Sequence, residues 1–254
     1  MSIRKEDAYQ HVLCMDIRED SLRYGIYKKS SGELVKHNQI NFQAFERDHI
    51  NSLLTDEELK YDYSSYVLTA GGARSTLIPV DLFNHSKADE IFKLNFSEPL
   101  DNLDYNRIPE LGIVNIYELP LWIKSLFVIR FPRVKIVHPV TVILKGVFKQ
   151  STFSPKIHIH IEKDSFYLLI TDKGKLQYYN RFDQASIADM VYHILFVLEQ
   201  KEMDQKKMDV MLYGVPANWD KKDEVQGFFA NPIKIADKKE QAEHFVLSNQ
   251  LLCV

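Results

Sequence analysis

Residues 12–22 of the chain read VLCMDIREDSL, and residues 156–166 read KIHIHIEKDSF. The two stretches lie 144 positions apart (156 minus 12), and in each an alternation of apolar residues ends in a polar turn that contains Asp-Ser. Alternation with a period of two indicates a β-strand. Both stretches therefore predict a strand, a tight turn and the start of a second strand.

The similarity between the two stretches continues along the chain. Each second strand leads through a glycine-containing hairpin to a third strand, then to a helical pattern and a short apolar strand. In the first copy these segments are 22–27, 28–34, 35–42, 45–59 and 65–69; in the second they are 166–170, 172–176, 177–182, 186–199 and 209–213. Ser186 and Asp189 form a capping pair at the start of the second helix. The order β-β-β-α-β is thus predicted twice.

The remaining segments alternate between strand-like and helix-like patterns of apolar residues. This alternation favours parallel strands joined by helical crossovers. We predict an extended segment at 75–80, a helix at 87–92, a loop at 101–110, a strand at 113–117, a helix at 119–131, a strand at 134–138 and a helix at 140–150. The second copy continues with a helix at 221–230, a strand at 232–236 and a mixed segment at 240–253. We therefore predict two halves. The first half is 1–150, with a small insertion around 75–112; the second, shorter half is 151–254, and a hinge at 151–155 joins them.

Composition and charge exclude several classes of protein. Of 254 residues, 45% are hydrophobic and 26% charged, which indicates a folded chain and excludes disorder and disulfide scaffolds. Lys and Arg number 32 against 35 Asp and Glu, so the basic excess of a nucleic-acid binder is missing. Cys14 and Cys253 lack metal-type spacing and predict thiols in a reducing compartment. We expect a cytoplasmic protein without direct membrane insertion, since the N-terminal ten residues lack an apolar stretch and charges interrupt the apolar region 119–131.

The order of elements resembles that of a known superfamily. With the segments STLIP at 75–79 and VNIY at 114–117 followed by a helix, the chain resembles the actin, sugar-kinase and heat-shock-chaperone superfamily, and within it the pilus-assembly and cell-division members. It is most similar to a bacterial family of uncharacterised proteins with an actin-like ATPase fold. The resemblance implies an α/β fold of duplicated actin-like (ribonuclease H-like) β-β-β-α-β-α-β halves, with mixed sheets flanked by helices.

The resemblance also implies where a nucleotide binds. It places ATP in the cleft between the halves, held by one loop from each first hairpin, with an acidic residue at the strand end for hydrated Mg²⁺. The first loop then begins at Asp16 and the second at His160, the repeat partner of Asp16. Arg18 and Glu162 stand where close approach to phosphate favours glycine, and a lone Gly214 follows the later strand. These five residues predict a degenerate nucleotide site without a cofactor; ATP with Mg²⁺ is the alternative.

Three further patterns have competing interpretations. His158, His160 and Glu162 share one face of a strand, which suits a zinc site, although a polar strand end with hydrogen-bonded imidazoles is favoured. Gly71 to Thr76, with Arg74 as charge partner, suits an anion site, although a turn is favoured because no helix follows. Asp16 and Asp20 suit a carboxylate pair, although an Asp-Ser turn explains Asp20.

The sequence is compatible with two functional hypotheses from different classes. The first is a non-enzymatic protein that binds another protein and has no role with nucleic acid. The second is an ATPase or phosphotransferase in which Asp16 positions Mg²⁺, and His160 or Glu162 positions the attacking water. A third, weaker hypothesis is a subunit that polymerises. The first two hypotheses differ in what they require of the two loops. An active ATPase needs close approach of the loop backbone to phosphate, which Arg18 opposes.

Overall fold

The computed structural model describes residues 3–97, 102–150, 153–183, 186–216, 218–236 and 244–254. The chain divides into two compact units. Unit 1 comprises Met1–Lys145 together with Val246–Val254, and unit 2 comprises Gly146–Phe245. The segment 246–254 thus belongs to the first unit although it follows the second in sequence. The first two residues of the predicted hinge 151–155 lie outside the described residues.

Unit 1 contains two sheets. Its strands are β1 (His11–Ile17), β2 (Ser21–Lys28), β3 (Leu34–Asn41), β4 (Ser65–Thr69), β5 (Ser75–Pro79), β6 (Leu103–Ile108), β7 (Ile113–Glu118) and β8 (Lys135–Val137). Its helices are α1 (Arg47–Leu53), α2 (Ala88–Lys93), α3 (Leu121–Arg130) and α4 (Pro139–Lys149), which carries the chain into unit 2. The first sheet has the order β3-β2-β1-β4-β8, with β4 parallel to β1 and β2 antiparallel to it. A smaller antiparallel sheet has the order β5-β7-β6.

Unit 2 repeats the topology of the first sheet. Its strands are β9 (Lys156–Ile161), β10 (Ser165–Asp172), β11 (Lys175–Asp183), β12 (Asp209–Tyr213) and β13 (Lys234–Ile235). Its helices are α5 (Ile187–Gln200) and α6 (Lys222–Gln226), and α7 (Phe245–Asn249) returns the chain to unit 1. The sheet order is β11-β10-β9-β12-β13, again with an antiparallel meander followed by parallel strands. The mixed α/β architecture predicted from the sequence is confirmed.

The register of the two sheets corresponds residue by residue. Asp16 lies opposite Arg23 on β2 and Thr69 on β4. His160 lies opposite Tyr167 on β10 and Tyr213 on β12. Each residue of the second set follows its counterpart by 144 positions (160 minus 16, 167 minus 23, 213 minus 69). The pairing of Asp16 with His160 as equivalent strand ends, expected from the sequence, is therefore present in the strand register.

Burial on both faces explains the composition of the first strands. Leu13, Met15 and Ile17 on one face of β1 belong to the main core of unit 1, while Val12 and Cys14 on the other face pack against Leu247. In unit 2, the three isoleucines at 157, 159 and 161 enter the core beneath α5. Ser186 caps α5 as predicted, accepting a hydrogen bond from the Asp189 amide at 3.2 Å.

Two predictions of local structure were wrong. The segment predicted as a loop at 101–110 contains β6, because Leu103 and Tyr105 pack onto the cluster formed by Phe92, Val114 and Ile116. The helix predicted at 45–59 is shorter, with α1 followed by a separate 3₁₀ turn at Glu57–Lys60. Helix α1 ends at Leu53 because the backbone of Leu54 is not helical, and the 3₁₀ turn begins after Asp56, whose carboxylate accepts a hydrogen bond from Tyr24 Oη at 2.8 Å.

Across the part of the chain that the structure describes, no helix has both the length and the apolar character needed to cross a membrane.

Candidate functional site

The first hairpin of unit 1 encloses a charged cluster around Asp16. The Asp16 side chain is fully buried at the carboxyl end of β1. Arg18 Nε donates to both of its oxygens, at 3.1 and 3.0 Å, and Arg23 Nη2 lies 2.5 Å from Oδ2. The Arg18 amide donates to the Ser21 carbonyl at 2.8 Å and so closes the turn. One carboxylate is therefore held between two guanidinium groups.

The two arginines determine the charge state of Asp16. Burial alone raises the pKa of a carboxyl group because it disfavours the charged form. The positive charges of Arg18 and Arg23, with their hydrogen bonds, outweigh this effect and hold the pKa of Asp16 below its ordinary value. Asp16 is thus ionised, and both of its oxygens are occupied. A cation at this position must compete with two guanidinium groups.

The equivalent hairpin of unit 2 has a different chemistry. His160 is almost fully buried, with its ring 5.9 Å from that of Tyr167 and 5.8 Å from that of Phe245. Glu162 Oε1 lies 3.9 Å from His160 Nε2, and Glu162 Oε2 accepts a hydrogen bond from Ser165 Oγ at 3.3 Å. The Glu162 amide donates to the Ser165 carbonyl at 2.8 Å, the same turn-closing bond as in unit 1. The structure therefore brings His160 and Glu162 together at the turn.

Gly214 follows β12 directly, beside the same hairpin. Its φ of +79° lies in the left-handed region. A Cβ atom added here would overlap the main-chain oxygen of Ile161 and lie 3.0 Å from His160 Cε1. Close packing of the chain after β12 against β9 therefore accounts for this glycine.

His158 is engaged by hydrogen bonds through both ring nitrogens. Nδ1 lies 2.8 Å from Tyr213 Oη, and Nε2 lies 2.9 Å from Thr171 Oγ1. Burial lowers the pKa of His158 to about 3, so the imidazole is neutral. Within the described ranges, no group of three or more His, Cys, Asp or Glu side chains is arranged to hold a metal ion. The His158 imidazole is thus hydrogen-bonded at both nitrogens on a buried strand face.

The glycine-containing segment 71–74 connects β4 to β5 and is held by contacts within unit 1. Arg74 is bound in a two-pronged ion pair by Glu118, with Nε to Oε2 at 2.6 Å and Nη2 to Oε1 at 2.8 Å. Gly71 has a φ of +132°, and a Cβ atom on it would overlap the ring of His138. The guanidinium group of Arg74, which the sequence suggests as a partner for an anion, is therefore bound to the carboxylate of Glu118 in the same unit.

A contact from the end of the chain was not anticipated from the sequence. Gln250 is fully buried, and its Nε2 donates to the Met15 carbonyl at 2.7 Å and to Thr69 Oγ1. Nearby, Lys135 Nζ donates to the Cys253 carbonyl at 2.9 Å. Ligands of open α/β sheets bind beyond the carboxyl ends of parallel strands. In unit 1, the Gln250 amide lies at the carboxyl ends of β1 and β4.

Comparison with solved structures identifies the fold. The chain is similar over 100% of both chains to a Bacteroides thetaiotaomicron protein with an actin-like ATPase fold and unknown function, with a TM-score of 0.86 and 19% identity. It is also similar to a chain of the PilM–PilN type IV pilus biogenesis complex, with a TM-score of 0.59 and 11% identity over 95% of this chain and 98% of that one. A third similar structure is the ethanolamine utilization protein EutJ from Carboxydothermus hydrogenoformans, with a TM-score of 0.52 and 7% identity over 94% and 89%. The actin-like ATPase fold implied by the order of elements is confirmed.

Sequence comparison covers nearly the same extent of the chain. The model of a family described as "Protein of unknown function (DUF3822)" matches residues 2–228. Comparison with curated proteins gave no match.

Proposed function

The chain belongs to the DUF3822 family of proteins of unknown function, and we propose that it is a cytoplasmic, non-catalytic member of the actin-like fold that acts by binding another protein. Its nucleotide site is degenerate. The observation that carries this proposal is the closed ion cluster of Asp16, Arg18 and Arg23.

The cluster disfavours a metal ion for two physical reasons. Magnesium in nucleotide sites is bound through carboxylate oxygens, water and phosphate oxygens, in near-ideal octahedral geometry. Both oxygens of Asp16 are already hydrogen-bonded, and its side chain has no exposed surface. Two guanidinium groups around one carboxylate also leave a local charge of +1, which repels a divalent cation.

The second hairpin supports the same conclusion. The position equivalent to Asp16 carries His160, whose ring packs between Tyr167 and Phe245. Glu162 follows without a glycine that would let backbone amides approach phosphate closely. Gly214 is required by the packing of its own backbone against Ile161 and His160. Neither hairpin supplies the residues of an ATPase loop.

The protein-binding part of the proposal draws on a structural relative. One chain with this fold was solved in the PilM–PilN complex, so the fold serves in that case within an assembly of proteins. A fold supports many functions, and such analogy indicates only the class of role.

A thermal-shift titration tests the nucleotide part of the proposal. A ligand present at 100 times its Kd stabilises the native state by about 2.7 kcal/mol. We expect no shift with millimolar ATP or ADP, with or without Mg²⁺. A shift that requires Mg²⁺ and is lost in Asp16→Asn but kept in the turn control Asp20→Asn would show a working metal–nucleotide site. A shift with ATP alone that is lost in Arg18→Gln would show that arginine replaces the metal. Either result refutes the degenerate site.

A further inference from the structure

Helix α5 of unit 2 presents two aromatic side chains to solvent. Tyr192 is 64% exposed and Phe196 is 47% exposed. Their ring centroids lie 6.1 Å apart with the planes 20° from parallel. The opposite side of α5 packs against unit 2, since Met190, Ile194 and Val197 enter the core of the unit. The two aromatic residues are therefore not needed to attach the helix. Aromatic residues are enriched at protein–protein interfaces, and contiguous exposed apolar side chains are typical of contact surfaces.

Acidic residues flank this aromatic pair at both ends. Asp189 precedes Tyr192 by three positions, and Glu199 follows Phe196 by three positions; both are exposed. The four positions 189, 192, 196 and 199 have the i, i+3, i+7, i+10 spacing of one helix face. We call this set the α5 stripe; it extends over about 15 Å of the helix axis at 1.5 Å per residue. Asp189 remains exposed although its carboxylate accepts a hydrogen bond from Ser186 Oγ at 2.9 Å.

The charges of the α5 stripe restrict what can cover it. If two copies of the helix packed in antiparallel orientation, Asp189 of one copy would face Glu199 of the other. In parallel orientation, each acidic residue would face its own counterpart. Like charges brought together across an interface are unfavourable and are a common means of excluding a wrong partner. The stripe is therefore unsuited to pairing with itself.

We propose that the α5 stripe docks an amphipathic helix of a partner protein. This inference rests on the protein-binding role proposed above and names the class of partner. The docked helix has two apolar residues four positions apart that contact Tyr192 and Phe196. A Lys or Arg lies three positions beyond each of them, opposite Glu199 and Asp189. The spacing of the stripe is that of the seam between packed helices, which is why a helix is the element that fits.

Two labelled synthetic peptides of reversed charge test the proposal. The first carries the pattern Lys-x-x-Leu-x-x-x-Leu-x-x-Lys with Ala and Gln at the other positions, and the second has Glu in place of both Lys. Binding to the full-length protein is followed by fluorescence anisotropy at low and high salt, since screening weakens exposed ion pairs. We expect the Lys peptide to bind about tenfold more tightly than the Glu peptide at low salt, and this preference to fall at high salt.

Variants at the stripe assign the binding to these residues. Tyr192→Ala with Phe196→Ala should weaken Lys-peptide binding by about tenfold. Asp189→Lys with Glu199→Lys should reverse the preference, so that the Glu peptide binds better. The matched control, Leu121→Ala with Ile129→Ala, removes two exposed apolar residues of α3 in unit 1 and should leave binding unchanged. Circular dichroism melts establish that each variant is folded.

Other outcomes overturn the inference. Equal binding of both peptides, no binding of either, or unchanged binding by the stripe variants would each refute it. Wild-type oligomers, detected by sedimentation velocity and lost in the Tyr192, Phe196 variant, would show that a second copy covers the stripe. The peptide assay contains no nucleotide, so its failure is distinguishable from a failure of the degenerate nucleotide site.

Discussion

Asp16 and Arg23 lie directly opposite each other on adjacent antiparallel strands, with Arg23 Nη2 2.5 Å from Asp16 Oδ2. The carboxylate has no exposed surface, whereas 27% of the Arg23 side chain is exposed. The charge of Asp16 is thus neutralised by residues of its own hairpin, before any ligand is considered. This relationship has consequences for stability that can be measured.

Removing the arginine partner should destabilise the protein. Arg23→Leu leaves a buried carboxylate with Arg18 as its remaining cation, and loss of one member of a buried ion pair costs about 3 kcal/mol or more. Urea denaturation of this variant, of Asp16→Asn and of the double variant gives the coupling energy. We expect the double variant to be more stable than the sum of the single losses predicts. Lys93→Leu, which breaks the exposed pair with Asp89, should cost less than about 1 kcal/mol. Strict additivity of the Asp16 and Arg23 variants would contradict the pairing.

His158 should make stability depend on pH. Its pKa of about 3 in the folded state lies below the value of about 6.5 for an unfolded chain. Below pH 6.5 the unfolded state binds a proton that the folded state does not, so stability falls as pH falls, until the pH approaches 3. The slope from this group approaches about 1.4 kcal/mol per pH unit. The difference in unfolding free energy between wild type and His158→Gln should therefore shrink between pH 6.5 and pH 4.5. Parallel pH profiles would contradict the assignment, and exposed His49→Gln is the control.

Alanine substitutions at Gly214 and Gly174 distinguish the cost of steric crowding from the cost of backbone strain. Both have positive φ, +79° and +73°, but a Cβ atom meets Ile161 and His160 at the first and nothing within 4 Å at the second. Gly174→Ala should therefore cost only the strain of a left-handed residue, about 1 kcal/mol. Gly214→Ala should cost about 2 kcal/mol more, because the overlap with a main-chain oxygen cannot relax through a side-chain rotation. Melting temperatures measure both, and equal losses would show that crowding at Gly214 has no effect.

Gln250 should contribute to the stability of unit 1. Gln250→Leu keeps the approximate volume but leaves the Met15 carbonyl and the Thr69 hydroxyl without this donor. An unsatisfied buried polar group costs about 1–3 kcal/mol. The control is Gln39→Leu, which removes an exposed side chain bonded to Asn41. Chemical denaturation should show a clear loss for the first variant and a change within about 0.5 kcal/mol for the second. Equal effects would mean that the buried contact has no energetic weight.

Much of the fold could be predicted from the sequence because its strands have strong local signals. The alternation at 12–17 and 156–161 and the glycine hairpins specify the two meanders. The local pattern does not indicate β6 because its sequence is rich in Asp and Asn, and Leu103 and Tyr105 become core residues only through contact with Phe92 and Val114 on other elements. The predicted helix 45–59 is too long because the backbone leaves the helical conformation at Leu54, which the local apolar pattern does not indicate. Local patterns are insufficient where tertiary contacts decide the structure.

The equivalence of the two strand ends can be predicted from the sequence, whereas the contacts of their side chains cannot. Asp16 and His160 were assigned to equivalent strand ends, and the register places them there. The sequence alone indicates that Arg18 is unsuited to a phosphate loop, but the role of Arg23 depends on the register that places β1 beside β2. Gln250 contacts a residue 235 positions earlier, and nothing in the local sequence indicates such a distance.

The position of residues 246–254 has a consequence for how the chain folds during synthesis. Unit 1 takes most of its residues from the stretch before unit 2, but Leu247 and Gln250, which complete it, are translated after unit 2. Unit 2 is one uninterrupted stretch, Gly146–Phe245. Its synthesis is therefore complete before that of unit 1. Domains generally fold as units while the chain is being made. In this protein the nascent first unit must wait, partly assembled, until the second has been translated, so the order of completion is the reverse of the order of synthesis.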